Sequence, residues 1–263
     1  MRGGIALAGA ASLCSRAMFG WRGVAMIVGC AALACGGQVT RELKVSAAMS
    51  LKEVFAEIES GFEARHPGVD VVFNFAGSQI LAGQIEEGAP VDVFAAADEA
   101  QMQRAIAGGR VAAGLRFASN RLVLISPVGA AIGGPEALGR PGLRLVLAGP
   151  GVPAGSYARQ ALQELGVAEA ALANLVSNEE NVRGVVGKVS AGEADAGVVY
   201  ATDVTAGVAD KLHVAALAVT VTPGYEVAVL KDSPQPALAG DFVAELLGPA
   251  GQAALARHGF LPP

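Results

Sequence analysis

Cysteine is nearly missing from this chain of 263 residues: the three present, Cys14, Cys30 and Cys35, all fall within the first 35 positions. The body therefore has no disulfide framework and no thiolate metal site. Charge is scarce as well, with 16% charged against 52% hydrophobic residues and a net charge of −5. Without a basic excess, a role in nucleic-acid binding loses ground. Signatures of catalysis are also lacking: there is no Gly-x-Ser-x-Gly elbow, no Gly-rich Walker loop and no metal-ligand spacing. His66, His213 and His258 are scattered and read as surface or loop residues. Beyond the N-terminal region no apolar stretch approaches membrane length, so the mature body is expected to be soluble. There is no internal repeat and no low-complexity segment.

The first 34 residues read as an export signal. Arg16 and Arg22 form its basic flank, and residues 23–34 are an uncharged apolar run too short to span a membrane comfortably. The run ends at Ala32-Leu33-Ala34-Cys35-Gly36-Gly37. Its Ala-x-Ala step suits a signal peptidase. Small residues before a Cys also resemble a lipoprotein processing box, with Cys35 as the lipidation residue, although Ala32 stands where Leu is usual. Residues before Met18 look superfluous, which makes Met18 an alternative start.

After Thr40, strands and helices alternate. Strands are expected at 43–47, 69–75, 91–96, 121–126, 143–148, 175–177, 196–200, 214–219 and 226–230. Helices are expected at 51–64, 78–87, 99–107, 154–165, 182–191, 236–247 and 252–258. In the first helix Leu51, Val54, Phe55, Ile58 and Phe62 recur at three- and four-residue spacing, and Ser50-Leu51-Lys52-Glu53 has the form of a capping box. This alternation predicts an α/β fold of mostly parallel sheets flanked by helices. Two such groups with a late return of the chain predict two lobes, one formed by residues 41–122 plus 225–263 and the other by residues 123–224. The crossovers are placed near 119–127 and 219–225.

Four turns carrying Ser, Gly or Asn each open a helix directly after an apolar strand: Ala47-Ala48-Met49-Ser50, Phe75-Ala76-Gly77-Ser78, the run from Pro150 to Gly155, and the run from Asn178 to Val182. A helix start presents unpaired N–H groups and about half a positive charge. Several such starts aimed at one point would hold an anion without Lys or Arg. In open α/β sheets, ligands sit beyond the carboxyl ends of strands, where all four turns lie and where Tyr200 ends its strand. Taken singly, each turn reads more readily as an ordinary helix cap or entry than as a binding element, and Tyr200 as a strand aromatic.

Together these stretches resemble the periplasmic molybdate-binding component of molybdate ABC importers. The resemblance runs from about residue 43 to residue 260. It rests on Ser46-Ala47-Ala48-Met49-Ser50-Leu51, Phe75-Ala76-Gly77-Ser78, Gln-Ile-Glu-Glu-Gly-Ala-Pro-Val-Asp-Val-Phe at 84–94, Val152-Pro153-Ala154-Gly155-Ser156-Tyr157-Ala158, Glu180-Asn181-Val182-Arg183-Gly184 and Gly197-Val198-Val199-Tyr200. The resemblance implies a type II periplasmic binding protein with its ligand in the interlobe cleft. Ser50 and Ser78 would donate from the first lobe. Ala154 and Val182 would offer backbone N–H groups from the second, and Tyr200 its phenolic hydroxyl. No side chain would ligate molybdenum directly. Two positions depart from the common pattern: Gly77 replaces a frequent Ser, which is expected to loosen the loop, and Asn181 replaces a frequent Asp. Lys52 and Arg183, beside predicted donors, are read as pointing to solvent. The resemblance further implies a monomer without a cofactor, located outside the cytoplasmic membrane, that delivers molybdate or tungstate to a permease and its ATPase. Sulfate is the alternative oxyanion, and an enzyme or a sensory domain on the same scaffold are the rival classes.

Overall fold

The computed structural model describes residues 41–130 and 132–263; the signal, Met18 and all three cysteines lie outside the described residues. Chain alternation produces β1 (Arg41–Ala48), α1 (Lys52–Arg65), β2 (Val69–Ala76), α2 (Ser78–Glu86), β3 (Val93–Ala96) and α3 (Glu99–Ala107). Then come β4 (Leu115–Ser119) and β5 (Leu122–Pro127), followed by β6 (Leu145–Ala148), α4 (Pro153–Glu164), α5 (Ala168–Ala173), β7 (Leu175–Glu179), α6 (Val182–Ser190) and β8 (Ala196–Tyr200). The chain closes with β9 (Leu212–Ala216), β10 (Gly224–Val229), α7 (Pro236–Leu247) and α8 (Pro249–Arg257).

Two five-stranded sheets result, ordered β2-β1-β3-β10-β4 and β7-β6-β8-β5-β9. The fold is the two-lobed α/β architecture of type II periplasmic binding proteins, one sheet to each lobe. Parallel pairing holds for β1 with β2 and β3, and for β6 with β7 and β8. The remaining pairs are antiparallel, because one strand in each sheet, β10 or β5, runs against the other four. The antiparallel members are the strands at the crossings between sheets. β4 and β5 are joined by only two residues, so β5 enters the second sheet directly from the first, and β10 returns to the first sheet after β9.

The first helix buries the face that its spacing predicts: Leu51, Val54, Phe55, Ile58 and Phe62 are all buried. Phe55 and Phe62 meet Phe242 of α7 edge to face, with centroids 6.0 and 5.3 Å apart. Burying each such ring contributes roughly 1.5–3 kcal/mol, and this fastens α7 to the first lobe. A smaller cluster of Leu81, Ile85, Phe94 and Met102 seats α2 and α3. In each sheet the first strand of the parallel group lies between the next two, so its carboxyl end sits where the connections diverge, the usual place for a ligand crevice.

Candidate functional site

From the first lobe, β1 runs into a single 3-10 turn, Met49–Leu51, before α1. Ser50 does not cap that helix: the N-terminal residue of α1 carries no side-chain cap. The capping-box spacing fails because the intervening 3-10 turn rotates the hydroxyl inward, where its Oγ lies 3.1 Å from the Tyr225 hydroxyl. Asn120 donates to that same Tyr225 oxygen at 3.3 Å and to the Thr202 hydroxyl at 2.9 Å. With Tyr225 accepting from Asn120, its own proton can be given to Ser50, an arrangement that leaves the Ser50 proton for the cleft. Ser78, buried at the start of α2, accepts the Ala97 N–H at 3.0 Å. Its hydroxyl proton is likewise left over.

The second lobe contributes backbone. Pro153 and Ala154 are the first two residues of α4. Pro153 has no N–H, so Ala154 provides the first free one. Asn181 caps α6 through its side-chain oxygen, which accepts from Arg183 N–H at 3.0 Å and Gly184 N–H at 3.3 Å. The cap consumes the second and third donors of the helix and leaves the Val182 N–H. Tyr200, at the end of β8, is buried, and its hydroxyl has no hydrogen-bond partner.

Ser50, Ser78, Ala154, Val182 and Tyr200 line one cavity, together with Ala48, Gly77 and Asn181 among others. Among the described residues, no Lys, Arg, Asp or Glu lines it. About 20 Å³ of it is open to the centre of a water molecule, little more than one water requires, so the cavity is small and tightly walled. Gly77 does not loosen its loop. Its φ of −63° suits any residue, and what demands glycine is proximity: a Cβ there would lie 2.5 Å from the Glu180 carbonyl oxygen of the other lobe. Gln79 reaches the same carbonyl with its Nε2 at 2.9 Å, so the cleft is drawn shut at this rim.

The sequence pattern of the bacterial extracellular solute-binding protein family matches residues 43–261. The chain belongs to that family. It is similar to the molybdate-binding protein ModA of Mycobacterium tuberculosis, 41% identical over 235 residues that cover 86% of this chain and 87% of that protein. Among solved structures it is similar to the substrate-binding domain of a putative molybdenum ABC transporter from Clostridium difficile, with a TM-score of 0.66, 30% identity, and coverage of 84% of this chain and 99% of that one. The periplasmic molybdate-binding protein of Azotobacter vinelandii shares the fold, with a TM-score of 0.74 at 24% identity over 84% of this chain and 99% of that one.

In this solute-binding protein the two cations beside the predicted donors behave differently. Lys52 is exposed. Arg183 is not a solvent residue: its guanidinium pairs with Glu53 of the first lobe and faces Asp203. Charge complementarity turns it inward, because Asp203 is fully buried and needs a counter-charge. Of the histidines, His213 is exposed, while His66 stacks on Phe62 and His258 pairs with Glu57. Sequence reasoning missed Tyr225, Asn120 and Asp203. For Asn120 the available signal was the polar run Ser119-Asn120-Arg121 at the crossing between the sheets; Tyr225 and Asp203 carried none.

Burial pushes the Asp203 carboxyl up to about 7, against the opposing pull of Arg183. The folded protein thus binds this proton more tightly than the unfolded chain, whose carboxyl titrates near 3.8. The stabilisation is complete below about pH 4 and is lost as pH rises through about 7. The Tm of the ligand-free protein should therefore fall more between pH 5 and pH 8 in the wild type than in Asp203→Asn, as read by scanning calorimetry. Parallel curves for the two proteins would assign the fall to other groups.

Proposed function

We propose that this protein captures molybdate, and tungstate of nearly the same size, outside the cytoplasmic membrane and hands it to an ABC permease driven by its ATPase partner. The observation that carries this reading is the uncharged cavity between the lobes, lined by Ser50, Ser78, Ala154, Val182 and Tyr200, in which the Tyr200 hydroxyl has no partner among the described residues. The relatives that bear the name molybdate-binding support the choice of anion. A dianion is costly to dehydrate, so its oxygens need many fixed donors. Each bond to the charged partner contributes roughly 1.5–3 kcal/mol. Neutral donors avoid a rigid buried ion pair and ease release. Phosphate near neutral pH keeps a proton for which this cavity offers no carboxylate acceptor, and sulfate, smaller than molybdate, is expected to be held less well.

The protein is a carrier that returns its ligand unchanged, working as a monomer without a cofactor. Cys35 is the residue through which it would be held to the membrane if the lipoprotein reading of the leader holds. Calorimetric titration with molybdate, tungstate and sulfate tests the assignment: one molybdate or tungstate per chain with sulfate far weaker is expected, and preferential sulfate binding would replace it.

Tyr200→Phe separates a ligand donor from a packing residue. The hydroxyl is unpartnered in the ligand-free cavity, so its loss should leave the Tm unchanged or slightly raised. Molybdate affinity should meanwhile fall about tenfold, or roughly 1.4 kcal/mol. A lower Tm with unchanged affinity would make Tyr200 a core aromatic only.

A further inference from the structure

One cation, Arg183, sits beside the cavity and is tied to segments that carry three of its lining residues. Arg183 follows the donor Val182 directly. Its Nη2 pairs with Glu53, three residues beyond Ser50 and on the opposite lobe. Its Nε lies 3.7 Å from Asp203 Oδ1. Asp203 in turn holds the end of β8, its Oδ2 accepting the Tyr200 N–H at 3.2 Å. The segments bearing Ser50, Val182 and Tyr200 are therefore joined through one guanidinium.

The second contact is unfinished. At 3.7 Å the Nε and the carboxylate oxygen are too far apart to bond, and both atoms are buried with no other partner. A shift of under 1 Å of α6 toward Asp203 would satisfy both. Both groups belong to the second lobe, so this contact seats the guanidinium on its own lobe while Glu53 lies across the cleft.

Resting on the oxyanion reading above, we propose that Arg183 is a positioning residue: an interlobe clasp, seated against Asp203 of its own lobe, that grips Glu53 of the other lobe while the cleft is closed and so sets the lifetime of the closed, loaded state. The guanidinium does not touch the ligand; it holds the elements that do. The Glu53 side chain is 38% exposed and that of Arg183 26% exposed, so the ion pair alone contributes little. The coupling to a fully buried carboxylate is what makes Arg183 the larger lever.

Stopped-flow binding of molybdate to the wild type, Glu53→Gln, Arg183→Gln, Arg183→Lys and the Glu53→Gln/Arg183→Gln double variant tests the clasp. Dissociation should quicken about threefold in Glu53→Gln and tenfold or more in Arg183→Gln, with association changed less than twofold. The double variant should dissociate no faster than Arg183→Gln, since both changes break one network, and Arg183→Lys should recover part of the loss. Unchanged dissociation in Arg183→Gln, or multiplying effects in the double variant, would overturn the clasp. If the wild type binds no molybdate, the oxyanion reading fails instead. In that case spin labels placed across the cleft of the ligand-free protein decide the clasp: a wider distance in Arg183→Gln than in wild type supports it, and equal distances overturn it.

Discussion

Gly155→Ala is expected to abolish useful oxyanion binding, with affinity falling at least about a hundredfold and the Tm by several degrees. Gly155 is the third residue of α4, one beyond the Ala154 donor. A Cβ on it would overlap the carbonyl oxygens of Gly149 and Ala148 and lie 2.6 Å from the Ala148 carbonyl carbon. All three atoms are backbone at the end of β6, so no rotamer change relieves the overlap. The helix start must move off the strand, carrying the Ala154 N–H away from the cavity, or the strand end must yield. Overpacking of this kind costs about 1–3 kcal/mol, which for a protein of this size lowers the Tm by about 2–4 °C per kcal/mol. Gly151→Ala, in the same turn, is the control. A Cβ there meets nothing within 4 Å, so binding and Tm should both stay near wild type. Calorimetry and thermal scans of the pair decide the matter; equal behaviour of the two variants would deny that the close strand–helix contact positions the donor.

Ser78→Ala should have the next largest effect, and it acts twice. Removal of the hydroxyl takes away one bond to the dianion, which weakens binding about ten- to a hundredfold. It also strips the Ala97 N–H of its acceptor, and an orphaned buried donor costs roughly 1–3 kcal/mol. Affinity and Tm should therefore fall together, unlike in Tyr200→Phe, where only affinity falls. Ser50→Ala should resemble Ser78→Ala in affinity. A Ser78→Ala protein that binds molybdate as tightly as wild type would remove Ser78 from the site.

What was legible in the sequence divides by the range of the contacts. The βα alternation and the buried face of α1 follow from local periodicity, and so do the turns at the carboxyl ends of the parallel strands. β4 and α5 were not foreseen, because Leu115–Ser119 has an exposed start and Ala168–Ala173 is only six residues long. Neither carries enough periodic signal. The one reversed strand in each sheet was hidden for a different reason: strand direction depends on where the chain crosses between lobes, which hydrophobic spacing does not encode. The five candidate donors were identified through family resemblance, since each turn alone reads as a cap. For Asn181 the cap reading is correct and useful, because capping spares the Val182 N–H. For Ser50 it is wrong, because its partner Tyr225 is 175 residues away. The Glu53–Arg183 pair joins residues 130 positions apart across the two lobes, and the burial of Asp203 likewise depends on tertiary packing that local sequence does not encode.

A crystal structure of the protein grown with molybdate tests the central claim most directly. The account predicts a single tetrahedral anion in the interlobe cavity, its oxygens contacted by the Ser50, Ser78 and Tyr200 hydroxyls and by the Ala154 and Val182 amides, with Arg183 held between Glu53 and Asp203. An anion bound chiefly by Lys or Arg side chains, or lying outside the cleft, would contradict it.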